Sequence, residues 1–258
     1  MAEDITGPSV LVDRDGSLTI ITLNRPRAAN ALDLDLVARL DAAVQAAASD
    51  ERCHAVLLRG AGARFCVGGD VMAMGAASDR GAFLDELAGA AHAVIGRLDA
   101  LTKPVVAAVQ GSVAGAGLAL ALSADLILAC ESTTFVTAYT AIGLTPDCGT
   151  SWLLPRAIGM PRALELTLTN RALTAQEALD WGLVARVCPS EELADQARDL
   201  AMTLAGPTGL ALGATRRLIR DGATQPLAST LDAEQSSIAA FGVGSVAGGL
   251  IGKFLARS

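Results

Sequence analysis

The sequence predicts an α/β fold: short buried strands alternating with helices, then a C-terminal helical part. Three observations carry this. Brief apolar runs at 54–58, 105–109 and 126–129 read as buried strands. The segments 65–75 and 111–117, which follow two of them, are rich in glycine and small residues. From residue 160 onward helical patterns dominate. A recurring strand–loop–helix order argues for right-handed crossovers.

Taken in order, residues 9–12 and 18–23 alternate around Asp15-Gly16 and predict a β-hairpin. Asp33 caps a helix whose apolar face carries Leu36, Val37, Leu40 and Val44 and which ends near Asp50. The strand at 54–58 is broken by Gly60-Ala61-Gly62, and 65–75 reads as a loop. A helix covers about 80–100, Val105–Val109 is a second buried strand, and Gly111–Gly117 is a loop entering a helix that runs to about Ala121. Leu126–Ala129 is a third strand. Pro161 suits the start of a helix. Thr174 and Glu177 form a capping box, with Gly182 at the other end. Val184–Val187 reads as a last strand, and helices follow at 190–205, 207–220 and 228–241. The expected division is a core at 1–195 and a helical region at 196–258.

The 258 residues are 52% hydrophobic, enough for one sizeable core, while aromatics reach only 3%, so aliphatic side chains must fill it. A net charge of −7 without a basic cluster argues against nucleic acid and anionic membranes as partners. Two stretches, 104–124 and 235–252, lack any charge, but both are broken by glycine and polar residues, so no membrane span is expected. Five scattered cysteines without a C-x-x-C, and no signal peptide, read as a reducing cytoplasm. With only His54 and His92 available, no metal site is expected.

Two segments carry chemistry. In Arg64-Phe65-Cys66-Val67-Gly68-Gly69-Asp70 the glycines let the backbone approach a ligand closely. Gln110–Gly117 leads into a helix, so unpaired N–H groups and a positive dipole end face the loop. Two N–H groups aimed at one point form an oxyanion hole. Ser112 sits in G-S-V-A-G rather than a nucleophile elbow, which argues against a serine hydrolase. Cys66 and Cys148 read as small apolar fillers, and His92 as a surface or core residue in a run of alanines.

Five ordered motifs resemble the enoyl-CoA hydratase/isomerase (crotonase) family over nearly the whole chain. They are Asn24-Arg25-Pro26 with Asn30-Ala31-Leu32, Phe65–Asp70 as F-x-x-G-x-D, the Gly111–Gly117 loop, Gly143–Gly149, and Ala178–Val184 as A-x-x-x-G-L-V. The resemblance implies a spiral of ββα turns with a C-terminal helical region that assembles a homotrimer or a dimer of trimers. It implies an acyl-CoA substrate and no separate cofactor, coenzyme A entering as part of that substrate. The Gly69 and Ala116 N–H groups would hold the thioester oxygen. Coenzyme A would lie along Arg27, Ala28 and Ala29 and the Val67, Gly68, Gly69, Asp70, Val71 loop, with Gly117 nearby. Arg25 or Arg27 would supply positive charge, unless each is only a solvated surface residue. Lys253 would reach the phosphates, of its own subunit's ligand or of a neighbouring subunit's.

Family hydratases use two glutamates, and the matching positions here are Ala119 and Tyr139. Classical hydration lacks its acid and base. Asp147 matches the carboxylate of family isomerases, and Gly143–Arg156 resembles the epoxyphenylacetyl-CoA isomerase members, apart from Thr150 where glycine is usual. One carboxylate suffices to move a double bond, provided burial lets it hold the proton briefly. Asp147 has a plainer reading as a cap for the helix near Gly149, and Tyr139 either orients the acyl chain or a water, or is a wall residue. The expected activity is enoyl-CoA double-bond isomerisation. Hydratase-like or epoxyphenylacetyl-CoA isomerase activity, and non-catalytic acyl-CoA binding, are the alternatives.

Overall fold

The computed structural model describes residues 7–256. The expected hairpin is present: β1 (Val10–Asp15) pairs antiparallel with β2 (Leu18–Leu23), Asp15 opposite Leu18, and Gly16 takes the left-handed conformation of the turn (φ +57°). Asp33 caps α1 (Leu34–Ser49) by accepting the Leu36 N–H at 2.8 Å, and the predicted apolar face is buried. β3 (Ala55–Gly60) follows.

The segment at 65–75 is not wholly loop. Asp70 accepts N–H groups of Met72 and Ala73 and starts a short helix, α2 (Val71–Ala76). Then come α3 (Arg80–Ala100), β4 (Val105–Val109), β5 (Ser112–Ala114) and α4 (Ala116–Leu122). β5 lies inside the second glycine segment, where a loop was expected. Three residues are too few for a periodic signal, and the strand exists because it pairs with β7.

β6 (Leu126–Cys130) and β7 (Thr134–Val136) precede α5 (Thr150–Ile158) and α6 (Met160–Thr169). β8 (Leu173–Thr174) leads into α7 (Ala175–Asp180), where the Thr174/Glu177 capping box is complete. β9 (Arg186–Cys188), α8 (Leu193–Leu204), α9 (Gly209–Gly222), α10 (Leu227–Gly242) and α11 (Ser245–Leu255) complete the described chain.

The main sheet runs β1-β2-β3-β4-β6-β9, parallel from β2 onward. A smaller sheet runs β5-β7-β8, extended by a parallel bridge between Cys66 and Val113. The order β4, β5, α4 is thus followed by β6, β7, α5, with β3, the Cys66 bridge and α2–α3 as the preceding turn. This is the ββα spiral. Each turn places a strand in the main sheet, a short extended segment in the second layer, and a helix packed against them, α4 being buried along its whole length.

One core cluster lies between the main sheet, α1, α3, α4 and the second layer, and includes Phe65 and Phe135. The other lies beneath α8, which sets Leu193, Ala197 and Ala201 against Leu57, Val106 and Leu128. The expected division at 195/196 falls within α8.

α9 is clamped to the core by Arg216, whose Nε lies 2.7 Å from Asp125 Oδ2 and whose guanidinium donates to the Leu98 and Asp99 carbonyls that end α3. α10 and α11 contribute no buried residue, and Ile238 and Phe254 are each more than 70% exposed. Most of the glycine-rich tail lies in α11. Among the described residues no single helix is long and apolar enough to cross a membrane, and α10 and α11 pass that test only as a pair bent by 78°.

Candidate active site

The two glycine segments meet. The Ala114 N–H donates to the Cys66 carbonyl at 3.1 Å, which aligns them side by side. Gly68 adopts φ +96°, and a Cβ there would lie 3.0 Å from the Ala114 carbonyl oxygen and 3.3 Å from the Ala116 nitrogen. Only glycine meets both demands. Gly117 is buried, and a Cβ on it would run into the Cys66 backbone. Its absent side chain lets α4 dock, so Gly117→Ala is expected to destabilise the fold by about 3 kcal/mol, read by urea unfolding.

This junction leaves two backbone donors over. Ala116 is the first residue of α4, so its N–H has no intrahelical partner. Gly69 lies where Leu32 N–H donates to the Gly68 carbonyl (2.8 Å) and Asp70 N–H to the Leu32 carbonyl (2.9 Å). Neither the Gly69 nor the Ala116 N–H bonds another described residue, and both residues line one cavity of about 420 Å3.

The cavity wall is mostly apolar, with Leu32, Met74, Leu84, Leu87 and Ile142 among its residues. Val67, Gly68, Val71, Tyr139 and Asp147 also line it. Asp147 is the one ionisable carboxylate among the lining residues. It does not cap α5: Gly149 holds that position without a side-chain bond. Instead Asp147 Oδ1 accepts the Tyr139 hydroxyl at 2.7 Å, and Thr150 Oγ1 lies 3.2 Å from the same hydroxyl. Burial, reinforced by the Asp147 charge, pushes the Tyr139 phenol far above its ordinary value, so it stays a donor at any working pH. Burial likewise raises the Cys148 thiol, and pushes Cys66 up to about 12, so both are neutral fillers.

Other predicted residues lie elsewhere. Gly117 is behind the junction. The Asp70 carboxylate is turned to the start of α2 and to Arg25 (3.0 Å). Burial opposes its ionisation, but the Ala73 amide and Arg25 outweigh burial and hold it below the usual carboxylate range. Arg25 also pairs with Asp33 at 3.0 Å and donates to the Ala31 carbonyl, so its charge is spent inside the protein. Arg27 and Ala28 belong to a short turn, Pro26–Ala28, and rim a separate recess of about 380 Å3; Ala29 follows in a left-handed conformation. Lys253 is exposed on α11.

One residue was missed. His92 Nε2 accepts the Cys148 N–H at 3.1 Å, and ligand-type atoms of His92, Asp147 and Cys148 lie within 4.8 Å of one another. Nε2 and Asp147 Oδ1 are both already partnered. No local signal marked His92, because its partner is 56 positions away.

The model of the family described as "Enoyl-CoA hydratase/isomerase" matches residues 13–246. The chain belongs to the enoyl-CoA hydratase/isomerase family. It is 38% identical over 220 residues to 1,2-epoxyphenylacetyl-CoA isomerase of Escherichia coli (strain K12), covering 83% of each chain. It is 34% identical over 233 residues to 4-chlorobenzoyl coenzyme A dehalogenase-2 of Arthrobacter sp., covering 90% of this chain and 84% of that one. Its fold superposes on the crystal structure of an enoyl-CoA hydratase from Polaromonas sp. JS666 with a TM-score of 0.91 at 30% identity, covering 96% and 97% of the two chains. Family relatives therefore span three reactions. In this family member Ala119 is completely buried, and the Tyr139 hydroxyl is bonded to Asp147.

Proposed function

We propose that this protein moves a double bond in an enoyl-CoA thioester, using Asp147 as the single acid/base and the Gly69 and Ala116 N–H groups as the oxyanion hole. The observation that carries the reading is the lone carboxylate on the wall of an apolar cavity that also exposes two unpaired backbone donors. Hydration needs a base for water and an acid for carbon, whereas a 1,3 shift needs one group twice. Asp147 removes a proton from C2 of a 3-enoyl thioester, and the electron pair moves onto the carbonyl oxygen. The two N–H groups hold that dienolate, and Asp147 returns the proton at C4, leaving the double bond between C2 and C3. Tyr139 occupies Oδ1, so Oδ2 is read as the proton carrier. In this reading coenzyme A would lie along residues 27–29 and the rim at 67–71, with Lys253 reaching its phosphates from a neighbouring copy in a trimer.

The test is incubation with a 3-enoyl-CoA in heavy water, followed by NMR at C2 and C4. Conversion to the 2-enoyl ester with deuterium incorporated is the expected result. Exchange at C2 without conversion would move the substrate elsewhere; similarity to 1,2-epoxyphenylacetyl-CoA isomerase makes a ring-derived thioester the second reading. Binding without any exchange would leave a non-catalytic acyl-CoA-binding protein.

A further inference from the structure

The backbone beside each member of the Tyr139–Asp147 pair is left-handed at a residue that is not glycine. Ala138 has φ +62° and Cys148 has φ +50°. Side chains disfavour this region, and such residues persist only where their surroundings hold them. In both cases a remote side chain takes the N–H of the strained residue. The Ala138 N–H donates to Asn170 Oδ1 at 2.8 Å, and the Cys148 N–H to His92 Nε2 at 3.1 Å. The second bond ties α3 to the turn that carries Asp147, and the Thr150 N–H to Asp147 carbonyl bond (2.9 Å) closes that turn from its other side. His92 does not line the cavity, although Ala88 and Ala91 of the same helix do. Its neutral ring accepts through Nε2 and therefore carries its proton on Nδ1.

We infer that His92 is a positioning residue for the acid/base: by accepting the Cys148 N–H it holds the left-handed peptide that aims the Asp147 carboxylate into the cleft. This rests on the isomerase reading above. Without the acceptor, the Cys148 amide loses its partner and the turn can relax towards an ordinary conformation. Displacing a reacting group by about 1 Å costs on the order of a hundredfold in rate.

The experiment compares wild type, Asp147→Asn, His92→Gln and His92→Leu with the 3-enoyl thioester. It records kcat and KM, and follows hydrogen exchange of the Cys148 amide separately. Glutamine places an acceptor oxygen near the position of Nε2, and leucine fills the space without one. The position is on an exposed helix face, and His92→Ala gives the same reading should leucine disturb folding. We expect His92→Leu to lose about thirtyfold in kcat with KM unchanged and faster exchange at Cys148, and His92→Gln to restore both. Full activity of His92→Leu, or equal losses in the two variants with Cys148 still protected, would overturn the inference while leaving the isomerase intact. A wild type that does not isomerise, or an active Asp147→Asn, would instead overturn the isomerase reading, and the inference with it.

Discussion

Asp147→Asn is expected to lower kcat by about 10³-fold or more while CoA-ester affinity stays within about twofold, a difference of only ~0.4 kcal/mol. Asparagine has the shape of aspartate, and its Oδ1 can still accept the Tyr139 hydroxyl that holds the wild-type carboxylate at 2.7 Å. The cavity and its two backbone donors are therefore retained. What disappears is the one carboxylate among the described lining residues, the group to which the proposed reaction assigns the C2 proton. Steady-state kinetics with a calorimetric Kd separate the two effects. A preserved rate would remove Asp147 from the mechanism, and a parallel loss of binding would mean that the carboxylate shapes the cavity instead.

Ala116→Pro is expected to cost about 10²–10³-fold in kcat with little change in thermal stability. The substitution deletes one N–H and replaces it with a ring carbon. Proline is well accepted at the first helical position, where its missing donor would have had no intrahelical partner. Ala116 holds that position in α4, behind Gly115 at φ +54° and ψ −128°. That is the mirror image of the extended backbone proline demands of its predecessor, and glycine alone adopts it freely. Kinetics and a melting curve form the check. Unaltered turnover would show that the Ala116 N–H does not hold the enolate oxygen, whereas a collapse in melting temperature would show that the ring cannot be seated against Gly68.

Much of the fold was legible because its signals are local. The span of α3, the whole of β4, the Asp33 cap and the Thr174/Glu177 capping box depend on residues within a few positions of one another. α2 and β5 were hidden inside segments that read as loops. β5 exists through its pairing with β7 and Cys66, partners that no periodicity in three residues announces. Asp147 shows the same limit: its place two residues before Gly149 suited a helix cap, yet its carboxylate is bonded to Tyr139.

The sequence by itself determined the family, the two glycine segments, the candidate carboxylate and the lack of glutamate at positions 119 and 139. These are matters of residue identity and short spacing, which the chain carries whether folded or not. Only the tertiary structure decided that Gly68 abuts Ala116, that Tyr139 holds Asp147, that Arg25 is spent on Asp33 and Asp70, and that His92 takes the amide after Asp147. The Gly68–Ala116, His92–Cys148 and Arg25–Asp70 contacts join different parts of the spiral, whereas Tyr139 and Asp147 meet within the one connection between β7 and α5. The His92–Cys148 bond spans 56 residues and the Arg25–Asp70 bond 45, separations at which neither periodicity nor local propensity says which side chains will meet.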